Sequence, residues 1–396
     1  MSQNFNNFRN NDYVNESFSV NYADAYGKEL AFDDNNLNET VLEQKMKKMK
    51  KENVNTNLND TFSLFNQFNY IDFENDNLNI TIQDKQKDDY LYVRKFPSFT
   101  ENEYQNIKRS VSGNLLEVQS YLFRLNMDYT EISVNKKVGP LLPLTYVIEN
   151  QYSFKKEHAK EIQEKYERLK YNICNYRTIY GDGNCYYRAV IFRYIELLII
   201  NKKTDIIKML IIDIYKSFQS QEIKQRLKIE NNYLNAHLII QIMITILELV
   251  ESNRIEEAHL SFYKALLFSK IFDYSLILYL RYIIYAYIKE NEKKLYLESF
   301  PVLIGNLLPS EYEVDGRFDF NSFYQTYLLK MFVCAEKIII YLTPFVLGIN
   351  VSCILFDDQE KEIVKTFGFA GKSQVNIEDT IFVLNRRGHY ENIYSL

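Results

Sequence analysis

The sequence predicts a helix-rich α+β domain over residues 136–396, with a small sheet drawn largely from its C-terminal part. An Asn-rich, largely disordered arm is expected before it, over residues 1–135. Three observations predict this. Apolar residues recur at helical spacing from 186 to 290, inside a stretch with no proline between Pro143 and Pro301. Short β-branched and aromatic runs separated by turn residues follow from 349 onward. Asn occupies 19 of the first 80 positions, interleaved with Asp, Ser, Phe and Tyr and without apolar period. Such a tract buries too little surface to offset a chain entropy of ~1–2 kcal/mol per residue.

Taken in order, Val138-Gly-Pro-Leu-Leu-Pro opens the domain with a turn, and 155–170 reads as a helix with a polar face. Helical segments are expected near 186–200, 204–228, 233–252, 255–269, 273–290 and 320–346. Strands are expected at 349–357, 362–369, 380–385 and 390–395, with Arg386-Arg387-Gly388 as the tight turn between the last two. Ile338 to Phe356 carries no charge and is nearly as long as a ~20-residue membrane span. It contains Pro344, Gly348 and Asn350, and its second half alternates, so a buried helix running into a buried strand is the expected structure.

The formal net charge of -5 disfavours a nucleic-acid-binding protein, which is usually basic. Four cysteines, at 174, 185, 334 and 353, form no C-x-x-C pair and are too few for a disulfide framework. That usage fits a reducing compartment, and nothing calls for a metal or cofactor. The first residues show neither a signal-peptide core nor a myristoylation glycine, so a soluble, cytoplasmic protein is expected, with no membrane partner. The basic run from Lys45 to Lys51 has two readings, a nuclear-import element or a solvated charged segment, and the second is the commoner.

Two places carry chemistry. In Tyr180-Gly181-Asp182-Gly183-Asn184-Cys185, the glycines permit a tight backbone, and Asp and Asn suit a helix N-cap. Cys185 then opens a helix, where the positive end of the dipole stabilises a thiolate and N–H groups can meet an oxyanion. In Gly388-His389-Tyr390-Glu391-Asn392, His389 begins a strand after a turn, and Glu391 lies two residues on, hence on the same face. A carboxylate there can orient an imidazole as the third member of a triad. Asn392 is the alternative orienting residue. Taken singly, a cysteine is as readily a small core residue and a histidine a strand-edge residue, but a core cysteine has no need of a Gly/Asp/Asn loop. Cys174, Cys334 and Cys353 sit among apolar neighbours, and packing is the expected role of all three.

These residues resemble a known family. Gly181 through Ala189 is similar to the D-G-N-C-[FY]-[FY]-R-A nucleophile loop of the OTU-type deubiquitinases. Gly388-His389-Tyr390 with Ile393-Tyr394 resembles the closing G-H-Y-[DN]-I-L-Y of the otubain branch. Arg168 to Tyr171, Tyr279-Leu280-Arg281, and the segment from Met331 to Val351 resemble further otubain pieces in the same order. The chain departs from the family at Glu391, where Asp or Asn is usual, and at Lys330, Cys334 and Lys337, where the family has Pro, Glu and His. The resemblance covers roughly residues 138–396 and implies a papain-like cysteine protease (OTU) fold. It implies that Cys185 is the nucleophile and His389 the general base and acid, with Asp182 in the loop whose amides, with that of Cys185, form the oxyanion hole. The implied partners are ubiquitin, polyubiquitin chains and E2 conjugating enzymes, and the implied reaction is hydrolysis at the ubiquitin C-terminus. The alternative is a non-catalytic ubiquitin or E2 binder that retains the fold.

Overall fold

A computed structural model of the chain describes residues 91, 93–96, 100–111, 118, 122, 137–147, 164, 173–229, 236–294, 304, 313–314, 317–355, 364–367, 380–386 and 389–395. Residues 1–90 of the arm expected over 1–135, and most of the expected helix over 155–170, lie outside these residues.

The first described element is helix α1 (Glu101–Val111). Thr100 caps it, accepting the Glu103 N–H on Oγ1 at 3.2 Å. Acidic residues occupy its first turn, while Lys108 and Arg109 occupy its last. Strand β1 (Val138–Pro143), the single turn α2 (Leu144–Val147) and strand β2 (Ile173–Ile179) follow. Helix α3 (Cys185–Ile200) is buried on nearly every side, so it is the central helix of the domain. Around it lie α4 (Thr204–Gln219), α5 (Gln221–Ile229), α6 (Ala236–Glu251), α7 (Ile255–Phe268) and α8 (Lys270–Asn291). The chain continues through the short pair β3 (Glu313–Val314) and β4 (Arg317–Phe318) to α9 (Phe320–Ser322), which runs on as a π-helical turn (Phe323–Leu328). Helix α10 (Lys337–Leu347) ends at Gly348, whose left-handed φ of 69° forms its C-cap. Strands β5 (Asn350–Leu355), β6 (Val364–Phe367), β7 (Thr380–Arg386) and β8 (His389–Ser395) complete the fold.

The main sheet has the order β1-β2-β8-β7-β5-β6. Only β5 and β7 pair in parallel; the other neighbours are antiparallel. Strand β8 is therefore central, and it lies against α3. Tyr390 meets Tyr186 edge-to-face with ring centroids 5.0 Å apart, and the Arg193 guanidinium stacks 4.5 Å above the Tyr394 ring. This packing holds the start of β8 beside the N-terminus of α3.

Three expectations are corrected. The arm does not extend to residue 135 as an unstructured tract. Tyr104, Ile107 and Val111 of α1 are buried in the core, Gln241 donates to the Val111 carbonyl at 2.6 Å, and Arg94 grips buried Asp213 at 2.7 and 2.9 Å. The signal was there, in a Thr-x-x-Glu cap followed by apolar residues at helical spacing, but three apolar positions among polar neighbours gain their worth only from α4 and α6. The expected turn at 138–143 is a strand, with Pro140 and Pro143 tolerated because β1 is a sheet edge. The continuous helix expected over 320–346 breaks between Leu329 and Glu336, and this break faces the site. The uncharged stretch after Ile338 is a helix followed by a strand, as expected. Among the described residues, α8 alone is long and apolar enough to cross a membrane, but 78% of its apolar window is buried in the domain.

Candidate active site

Cys185 is the first residue of α3, and Asn184 occupies the N-cap position without capping the helix by its side chain. Instead, Asn184 Oδ1 accepts from Arg281 Nη2 and from the Phe332 N–H, both at 3.0 Å. The positive end of the α3 dipole thus remains directed at Cys185. The role foreseen for Asn184 as a helix cap is replaced by a link to a distant segment.

Asp182 is turned inward. Its carboxylate binds Arg188 through bonds of 2.7 and 2.9 Å and accepts the Asn184 N–H at 3.0 Å. Arg188, fully buried, also binds buried Asp273 at 2.9 and 3.1 Å and donates to the Tyr180 carbonyl at 3.1 Å. Burial opposes ionisation of Asp182, but the Arg188 bonds outweigh it and hold the carboxyl below its ordinary value. The Asp182 N–H donates to the Tyr180 carbonyl at 3.2 Å. In this loop Asp182 is thus a brace: its carboxylate shapes the turn from within, and its own amide is engaged by the chain.

Gly183 adopts φ 78°, and a Cβ there would lie 2.4 Å from the Phe332 carbonyl oxygen. Both facts require glycine. A Cβ on Gly181 would lie 3.4 Å from Nδ1 and Cε1 of His389, so this edge of the imidazole faces the nucleophile loop. On the other side, His389 Nε2 stands 3.6 Å from Glu391 Oε1. Glu391 is buried, whereas the His389 side chain is 30% exposed. Burial pulls the imidazole pKa down, but hydrogen bonding to Cys185 and the nearby Glu391 carboxylate more than reverse this and raise it to about 9. Three of the predicted residues, Cys185, His389 and Glu391, therefore stand in series. Asn392 points elsewhere: it is fully buried, in register with Arg177 and Val383. Between the two candidates, Glu391 is the one that reaches His389.

The other cysteines separate. Cys353 is buried on β5, as expected, and the Cys174 side chain lies outside the described residues. Cys334 is not core filler: it is exposed, in the break between Leu329 and Glu336. Partial burial nevertheless raises its pKa, and the nearby Cys185 raises it further.

A cysteine at the N-terminus of a central helix, facing a histidine on an inner strand of the packed sheet, is the arrangement of a papain-like fold. The family model of peptidase C65, otubain, matches residues 130–395. The chain belongs to that family. Among solved structures it is similar to a chain of "The structure of h/ceOTUB1-ubiquitin aldehyde-UBC13~Ub", at 18% identity and TM-score 0.46, covering 74% of this chain and 99% of that one. It is also similar to a chain of "The structure of h/ceOTUB1-ubiquitin aldehyde-UBCH5B~Ub", at 18% identity and TM-score 0.44, covering 71% and 97%. No curated protein matches the sequence.

Proposed function

We propose that the protein is a deubiquitinating cysteine peptidase that hydrolyses isopeptide bonds at the ubiquitin C-terminus. The observation that carries this reading is the series Cys185–His389–Glu391, in which one edge of the imidazole bonds the thiol and Nε2 faces a buried carboxylate. His389 takes the Cys185 proton, and the thiolate attacks the carbonyl carbon of the terminal glycine. The amide of Cys185 at the α3 N-terminus faces the oxyanion that forms. The imidazolium then returns its proton to the departing lysine amine, leaving a thioester. Water, deprotonated by His389, attacks that thioester, releases ubiquitin and restores the thiol. With a pKa raised to about 9, His389 keeps at neutral pH the proton it has taken from Cys185 and is ready to return it as the acid. Glu391 fixes the ring orientation and balances its charge. The similar OTUB1 structures hold ubiquitin aldehyde together with ubiquitin-charged E2 enzymes, and ubiquitin and E2 enzymes are the partner classes proposed here.

The test is reaction with ubiquitin bearing a C-terminal electrophile at neutral pH, followed by peptide mapping. A single adduct on Cys185 is expected, together with cleavage of a di-ubiquitin panel that Cys185→Ala abolishes. Cys334 is exposed but its raised pKa keeps it protonated, so it should be labelled only as the pH is increased. Tight ubiquitin binding with neither adduct nor cleavage would leave a binding protein and overturn the proposal.

A further inference from the structure

Two arginines are fully buried beside the nucleophile loop, and their partners differ. Arg188 is bound by two carboxylates, Asp182 and Asp273. Arg281 of α8 contacts no carboxylate among the described residues. Its donors go to the Leu328 carbonyl at 3.0 Å, the Val333 carbonyl at 2.6 Å and Asn184 Oδ1 at 3.0 Å, and its guanidinium lies 3.8 Å over the Tyr187 ring. Burial accordingly pulls its pKa below the ordinary arginine value. A buried cation partnered only by neutral oxygens and a ring, with its Nε unpartnered among the described residues, is costly, and it persists where its geometry serves something.

Its three oxygen partners belong to two segments that flank Cys185. Asn184 immediately precedes Cys185, Leu328 ends the π-helical turn, and Val333 lies in the break before α10. Asn184 Oδ1 also accepts the Phe332 N–H, and Phe332 carries φ 66°, a left-handed conformation uncommon for a bulky residue. Its carbonyl rests on Gly183, while the residue is 53% exposed. A strained backbone held from both sides by buried bonds is typical of a site kept in one geometry.

Resting on the peptidase reading above, we propose that Arg281 is a positioning residue for the reaction. Its planar fork joins Asn184 to the 328–333 segment and fixes the Asp182–Cys185 loop in the geometry that presents the thiolate and the helix N-terminus to the scissile carbonyl. Lysine cannot replace it, because an ammonium lacks the fork that reaches three oxygens in fixed directions.

The test compares Arg281→Lys, Arg281→Met and Asn184→Ala with the parent by two readouts. One is the pH dependence of Cys185 alkylation by iodoacetamide, resolved by peptide mapping, which needs no ubiquitin chemistry. The other is kcat and KM for di-ubiquitin cleavage per active site, titrated with the ubiquitin electrophile. Arg281→Lys is expected to keep the alkylation midpoint of the parent, since the charge remains, and to lose roughly 10–100-fold in kcat with KM little changed. Arg281→Met should lose at least as much kcat and also move the alkylation midpoint to higher pH. Asn184→Ala, which cuts the same link from the loop side, should reproduce the kcat loss of the lysine variant. Parent-like kcat per titrated site in Arg281→Lys or in Asn184→Ala overturns the proposal. If Arg281→Met does not fold, those two variants still decide it. If the parent itself fails to cleave ubiquitin, the peptidase reading fails, and a parent-like alkylation midpoint in folded Arg281→Met would separately dispose of the role of Arg281.

Discussion

The two halves of the site are held by different physics. On the nucleophile side, the Gly181–Cys185 loop is fixed by buried side-chain bonds: Asp182 to Arg188, Arg188 to Asp273, and Asn184 to Arg281 and Phe332. On the base side, His389 is placed by a backbone ladder, because β8 pairs with both β2 and β7 and its register with β7 runs from Arg386↔His389 to Phe382↔Ile393. The Glu391 carboxylate then stands 3.6 Å from the His389 Nε2. The loop is irregular backbone, so its shape has to be imposed by polar groups from elsewhere. The strand needs no such help, because the sheet specifies its direction and alternation of faces. Damage to the loop should therefore cost both folding and chemistry, whereas damage beside His389 should cost mainly chemistry.

The largest effect is expected on the loop side. Asp273→Ala leaves Arg188 buried with only Asp182 to offset its charge, and it should lower unfolding free energy by roughly 3–5 kcal/mol. Urea unfolding at pH 7 measures this, and a loss under about 1 kcal/mol would mean that the network does not hold the loop. Ile107→Ala provides a reference away from both halves. It deletes a core side chain on α1, and a cost of roughly 2–5 kcal/mol is expected with kcat per titrated site unchanged. If this variant is as stable as the parent, α1 does not belong to the folded unit.

The smallest stability effect is expected on the base side. Glu391→Ala should reduce kcat by about 10–100-fold, with Glu391→Asp tolerated. The pH dependence sharpens this. His389 has a raised pKa in the folded state, so its stabilising contribution is full below its ordinary 6.5 and is lost as pH rises through about 9. Without Glu391, one of the groups that raise it is gone, and the loss should be complete at a lower pH. Denaturation midpoints between pH 6 and 10 report the difference; superimposable profiles for parent and Glu391→Ala would show that the carboxylate does not act on the imidazole. A crippled Asn392→Ala beside a parent-like Glu391→Ala would transfer the orienting role to Asn392.

Local sequence determined much of this. A Gly-flanked cysteine opening a long apolar helix, and a histidine and carboxylate alternating on a strand, are patterns of neighbouring residues. They follow from backbone freedom, dipole and period, which need no distant partner. The helices from α3 to α8 and the four C-terminal strands were legible for the same reason, although 204–228 divides into two helices at Ser220. What only the tertiary structure decided are the pairings between distant positions. Helix α1 is worth its entropy cost only when Tyr104, Ile107 and Val111 meet α4 and α6, so composition assigned it to the arm. Asn184 reads locally as a cap, yet Arg281, 97 residues away, claims its oxygen. Cys334 reads as core, yet the chain opens there because the 329–336 segment must reach back to Gly183. A buried polar bond between such positions leaves no period in the sequence, because its energy depends on which elements exclude water together, and that is settled only when the whole domain packs.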